Sequence, residues 1–158
     1  SVALVALALP PGTPLPELSG FLVPPSEGTS VKAATFFTRK WPHLGVDSGP
    51  VIVRASMGRA GEEERLQFDD TVLIERARHE LGLLLGAELP PPAGSWVQRW
   101  GGGLPQYPPG HLDRVAAARA ALPPGLALAG AAFDGVGIPA CVASGQRAAD
   151  DVCKISGS

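Results

Sequence analysis

The chain has 158 residues and 16.2 kDa, with 45% apolar and 18% charged residues. That suffices for one ordinary domain with a sizeable core and rules out wholesale disorder. Its 20 glycines and 17 prolines load it with turn formers but lack the period of collagen. A net charge of −2 and a pI near 5.9 argue against a nucleic-acid binder, which would normally carry a basic face.

The chain opens at Ser1 directly into Val2–Leu9, with no initiator Met and no basic region before it. That start reads as a piece of something longer. The run is rich in Val, Leu and Ala, is closed by Pro10–Pro11, and suits a strand buried on both faces. It is far too short to span a bilayer, and without a basic n-region it is no secretory signal. Gly20–Val23 and Val31–Thr38 form the arms of a hairpin over residues 20–38, joined by the turn formers Ser26–Ser30. Pro50–Met57 is a further strand, and Gly61-Glu62-Glu63-Glu64 a solvated loop rather than a paired-carboxylate site.

The clearest helix follows, with Asp69 as N-cap, Leu73, Ala77, Leu81 and Leu84 at helical spacing, and Gly86 as its stop. Ser95–Trp100 reads as a strand, Gly101–Gly110 as loop, and His111–Leu122 as a short amphipathic helix ended by two prolines. Leu126–Phe133 is apolar throughout and is expected to be a buried strand. Asp134–Gly137 turns the chain, and Ile138–Val152 suits a last helix with Pro139 in its first turn. The order of elements gives an α+β (mixed α/β) fold with a mixed sheet and two to three helices.

A strand, a Gly-rich turn and a helix in succession aim free N–H groups and a helix dipole at whatever lies beyond the turn. Gly135-x-Gly137-x-x-Ala140 satisfies the dinucleotide fingerprint in its G/A form. The Rossmann reading fails, however, because no second strand or acidic residue follows at the required distance. An ordinary strand–helix turn is the competing account. Trp96, Trp100 and Tyr107 flank Gly101-Gly102-Gly103, where a flat ligand could approach the backbone; aromatic packing beneath a flexible loop is the simpler explanation. His43, His79 and His111 lack metal-ligand spacing, so no metal is expected. Cys141 and Cys153 read as reduced cytosolic thiols. No nucleophile elbow or Cys–His pairing supports hydrolysis. Arg39 and Lys40 are open candidates for an acidic ligand.

Four blocks together resemble a known family. Gly135-Val136-Gly137-Ile138-Pro139-Ala140-Cys141, followed by Ser144-Gly145-x-Arg147-Ala148-Ala149, resembles the C-terminal flavin-contact segment of the oxygen-dependent, FAD-containing protoporphyrinogen/coproporphyrinogen oxidases of the flavin amine oxidase superfamily. Trp100-x-x-x-Leu104-Pro105-Gln106-Tyr107-x-x-Gly110-His111 resembles the family's W-x(3)-[AIL]-P-Q-Y-x(2)-G-H segment. Phe36-x-x-Arg39-Lys40-Trp41-Pro42-His43 resembles its strand ending in K-W-P, and Gly20-Phe21-Leu22-Val23-Pro24 its G-[FY]-x-x-P strand. The blocks run in family order over almost the whole chain.

The resemblance covers the C-terminal third of such an enzyme, without its N-terminal G-x-G-x-x-G unit or its membrane-contacting region. It implies that residues 1–100 are part of a discontinuous substrate domain and 101–154 the end of the FAD domain. Residues 155–158 read as a tail appended to it. In the family a porphyrinogen is oxidised in two-electron steps, with hydride passing to flavin N5 and O2 reoxidising the flavin. The resemblance puts Val136, Gly137 and Ile138 against the flavin, and matches Trp100 to a family tryptophan at the cofactor. The last helix's N-terminus would stabilise charge near N1–C2=O of the reduced ring. No catalytic acid or base is named, since the chemistry belongs to the cofactor.

The expected function is thus a fragment of a cytoplasmic porphyrinogen oxidase, peripheral to the membrane at most. The fragment is expected to be inactive alone, to bind FAD weakly, and to self-associate through exposed apolar surface. Another flavin amine oxidase and a stand-alone binding module are the alternatives.

Overall fold

The computed structural model describes residues 1–45 and 49–156. The chain divides into two compact units, Ser1–Gly103 and Leu104–Ser158, where length alone suggested one.

The first unit is built on strands β1 (Val2–Leu9), β2 (Gly20–Leu22), β3 (Val31–Phe36), β4 (Val51–Met57) and β5 (Gly94–Trp100). They form one sheet in the order β2-β3-β4-β1-β5, with every neighbouring pair antiparallel. Helix α1 (Phe37–Lys40) follows β3, and α2 (Asp70–Leu85) precedes β5.

Strand β1 alternates strictly. Ala3, Val5, Leu7 and Leu9 are fully buried, while Val2, Leu4, Ala6 and Ala8 are half-buried. The expectation of burial on both faces is therefore corrected: one face is closed and the other is open. The closed face continues through Val53, Ala55 and Met57 of β4 and Ala34 and Phe36 of β3. Leu73, Ala77 and Leu81 of α2 complete this core, at the helical spacing the sequence predicts.

Two contacts fix α2 against the sheet. Arg99 of β5 donates from Nε to the Leu66 carbonyl (2.8 Å) and from Nη2 to the Phe68 carbonyl (2.6 Å), and its Nη1 meets Asp70 at 2.5 Å. Glu80 accepts the N–H of Val31 at 2.8 Å. The Asp69 side chain makes no capping bond; its main-chain carbonyl accepts from Val72 and Leu73 instead. Gly86 ends the helix at φ 68°, as a C-terminal glycine should.

The segment read as a strand ending in K-W-P turns helical after Phe36. The Phe37 and Trp41 rings lie four residues apart with centroids at 4.9 Å, and the Trp41 N–H donates to the Phe37 carbonyl at 2.8 Å. That pairing closes the turn and outweighs the β-propensity of Thr and Phe.

The second unit holds α3 (His111–Ala120), α4 (Ala131–Asp134) and α5 (Ile138–Ser156). The expected strand over Leu126–Phe133 is not formed. An extended segment becomes a strand only by pairing with a neighbour, and none of the described residues of this unit is in a strand. The Ala-rich end of the segment closes into α4 instead, consistent with the helix propensity of alanine. The tail residues Ile155 and Ser156 continue α5, while Gly157 and Ser158 lie outside the described residues. The α+β fold class stands, but the sheet is antiparallel throughout rather than mixed, because each strand pairs only with antiparallel neighbours; among the described residues three helices have ten or more residues.

Leu81→Ala removes a fully buried side chain between α2 and the sheet and is expected to cost about 2–5 kcal/mol. Urea unfolding of the variant beside the native chain measures this. A loss below about 0.5 kcal/mol would mean that α2 does not hold the core.

Candidate functional site

Val136, Gly137 and Ile138 form the turn into α5. Gly135 and Gly137 sit at φ 120° and 119°, which strains any residue with a Cβ. A Cβ at Gly137 would meet nothing within 4 Å. The flanking side chains are strongly exposed, Val136 at 56% and Ile138 at 81%. The turn is thus an apolar ledge with a bare backbone step in its middle. The first N–H groups of α5, unpartnered in any helix, and the positive end of its dipole lie at the same place. A flat, electron-rich ring edge fits such a ledge: the glycine lets it approach, the aliphatic groups pack on it, and the helix end favours negative charge.

The ledge is held from behind by polar side chains. Tyr107 stacks on His111 with ring centroids 4.2 Å apart. Its hydroxyl donates to the Ala131 carbonyl and accepts the Gly135 N–H at 2.7 Å, bridging the two ends of α4. His111 Nε2 lies 2.8 Å from the Ala132 carbonyl. Asp134 receives three donors: the Ser144 hydroxyl at 2.5 Å, Arg119 Nη2 at 2.6 Å and Arg147 Nη2 at 3.1 Å. Buried Ser144 also accepts the Gly130 N–H at 2.9 Å. The Ser144 hydrogen bond first, then Arg119 and Arg147, lower the Asp134 carboxyl to about 2. Segment 130–135, rich in Gly and Ala, is thereby tied to α3 and α5.

Sequence reasoning passed over this knot, reading Asp134 only as a turn residue. The signal was present in Ser144 and Arg147, one helical turn apart on α5 and facing the same way.

Trp100 belongs to the first unit. It lies at the end of β5, 53% exposed, on the same sheet face as Trp96, which is 67% exposed. The expected aromatic packing under a loop is not what these two do, since both stand open. Tyr107, grouped with them in the sequence, belongs to the second unit and is spent on the turn. Arg39 and Lys40 are exposed; Arg39 donates to the Leu15 carbonyl at 3.4 Å, and the Lys40 ammonium sits 4.7 Å from the Trp41 ring centroid. Among the described residues no group of His, Cys, Asp and Glu is placed to hold a metal. Both cysteines are free. No described helix is long and apolar enough to cross a membrane.

An exposed apolar ledge at a helix N-terminus, backed by fixed polar groups, can take a flat, electron-rich ring edge. Residues 2–153 match the flavin-containing amine oxidoreductase family, and the chain belongs to it. It is 43% identical over 152 residues to the coproporphyrinogen III oxidase of Mycobacterium tuberculosis (strain ATCC 25618 / H37Rv), covering 96% of this chain and 33% of that protein. It is 35% identical over 156 residues to the coproporphyrinogen III oxidase of Bacillus subtilis (strain 168), with the same coverage. The crystal structure of a putative protoporphyrinogen oxidase from Exiguobacterium sp. 255-15 superposes with a TM-score of 0.79 at 32% identity, covering 99% of this chain and 34% of that one. The chain therefore spans about a third of the length of the curated relatives it matches.

The knot has a pH signature. Because the folded value of Asp134 is depressed, its stabilisation is complete above the ordinary 3.8 and is lost as pH falls through about 2. Asp134→Asn lacks this contribution at every pH. Denaturant unfolding of both proteins should show a gap that is widest above pH 3.8 and closes towards about pH 2. A gap independent of pH over that window would show that the carboxylate charge is not what ties the segment.

Proposed function

We propose that this chain is the C-terminal part of an FAD-dependent oxidase that converts a porphyrinogen, coproporphyrinogen III first, to the porphyrin with O2 as acceptor. The observation that carries the reading is the Val136–Gly137–Ile138 ledge at the start of α5, in a chain of the flavin-containing family. The relatives' names favour coproporphyrinogen III over protoporphyrinogen IX. In this reading residues 1–100 contribute to a substrate domain and 101–154 to the FAD domain. Val136, Gly137 and Ile138 lie against the isoalloxazine in this reading, and Trp100 is proposed separately as a cofactor contact. FAD, when bound, supplies the two-electron acceptor for the substrate and the route to O2. This chain's own residues orient it: the ledge packs on the ring, and the α5 N-terminus favours the anionic form of its edge. Self-association of the isolated chain through exposed Leu22, Leu83 and Ile138 belongs to the same proposal, since such side chains favour burial.

The test is a full-length parent assayed for porphyrin fluorescence from coproporphyrinogen III and protoporphyrinogen IX, with oxygen consumption followed beside it. Porphyrin formed with matching oxygen uptake supports the reading; porphyrin from neither substrate, in protein that carries FAD, overturns it.

The cofactor assignment has its own measurement. Gly137→Val places branched carbons in the open step and strains a φ of 119°. In the full-length parent it should lower bound flavin per protein by about tenfold or more. Ala149→Val, at an exposed position further along α5, should leave flavin content unchanged. Full flavin in both variants would mean that the turn is only structural.

A further inference from the structure

The open face of the sheet carries a cation that meets no counter-charge among the described residues. No Asp or Glu occurs in any of the five strands, and their cations are Lys32, Arg54 and Arg99. Arg99 points to α2 and is spent on Asp70 and two carbonyls. Lys32 sits at the irregularity in β3 between Val31 and Ala33. Arg54 lies near the middle of β4, between fully buried Val53 and Ala55, and so faces the other way. It stands in a row that crosses the sheet: Thr35, Arg54, Ala6 and Trp96 are successive cross-strand partners.

Arg54 is also held in place. Its Nη2 donates to the Thr35 hydroxyl at 3.2 Å, and its guanidinium carbon lies 5.5 Å from the Phe37 ring centroid. Its Nε is buried and has no hydrogen-bond partner. Among the described residues no carboxylate pairs with it. A buried donor left unmade costs free energy and calls for an explanation. Beside it the floor is apolar, with Leu4, Ala6 and Ala8 of β1 half-buried. Two strand spacings away, about 10 Å, stands the exposed indole of Trp96.

We propose that Arg54 is a carboxylate-binding residue of this face, and that its ligand is a propionate of the porphyrinogen. The inference rests on the porphyrinogen reading and deepens it. A flat macrocycle with carboxylates at its rim matches a flat apolar floor with one guanidinium near its middle and indoles along β5. Arginine suits the role because its fork meets both oxygens of a carboxylate. The substrate's carboxylate supplies the acceptor that the sheet lacks.

The test uses the full-length flavoprotein and two stable probes, coproporphyrin III and its tetramethyl ester, titrated by fluorescence. Arg54→Gln should weaken binding of the free acid by about tenfold or more, the range of a charged hydrogen bond. Binding of the ester, flavin content and thermal midpoint should stay as in the native protein. Arg54→Lys, which keeps the charge, should recover part of the loss. Unchanged acid binding in Arg54→Gln, or equal losses for acid and ester, would overturn the assignment while leaving the porphyrinogen reading in place. A native protein that holds flavin but binds neither probe would overturn that reading, and this one with it.

Discussion

The register of β1 is the constraint from which the first unit follows. Side chains alternate with a period of two, so one setting of this central strand seals Ala3, Val5, Leu7 and Leu9 in the core. A slip by one residue would expose all of them. Because β1 pairs with both β4 and β5, its setting fixes theirs: Val5 opposite Ala55 and Val97 faces inward, and Ala6 opposite Arg54 and Trp96 faces outward. The place of the unpaired guanidinium is thus decided by aliphatic burial several strands wide. The fold spends its hydrophobic energy on one face and leaves the other less covered.

The second unit is organised on a different principle. Among its described residues only Val115 and Ser144 are buried, so an apolar core contributes little. Its order comes from ion pairs and hydrogen bonds that converge on Asp134 and on the Tyr107 hydroxyl. Charge-assisted bonds of this kind are directional. They fix where a carbonyl or an N–H points, which burial alone cannot do.

This contrast explains what was legible in the sequence. Four of the five strands, α2, α3 and α5 announce themselves by periodicity and by proline or glycine punctuation, and β2 by its place in the hairpin. The glycine-rich turn into α5 at Val136, Gly137 and Ile138 is legible too, through glycine spacing and Pro139. The failures lie where a distant partner decides. Leu126–Phe133 has strand composition, but pairing needs a neighbour that composition does not supply. The stretch after Phe36 looks extended until Phe37 and Trp41 meet across a turn. The Asp134 knot joins residues 10 to 15 positions apart, a relation that periodicity does not encode. Arg54 reads as one more arginine in a strand until the sheet shows that no carboxylate among the described residues pairs with it.

Within the second unit, the residues around the turn into α5 divide into an apolar ledge and a polar support. The side chains of the Val136–Ile138 ledge are aliphatic or absent, and such groups would pack on a ring without dictating its orientation. Orientation has to come from the backbone that carries them, and that backbone is glycine-rich and intrinsically loose. The polar groups behind the turn resolve this conflict. They place no titratable side chain on the ledge itself, where it would compete with the ring for protons, yet they hold the ledge at both ends of α4. A site that leaves redox chemistry to its cofactor needs rigid positioning more than reactive side chains. The arrangement of Tyr107 and Asp134 around a bare glycine step would meet that requirement, since the ledge itself is apolar and its polar support lies behind it.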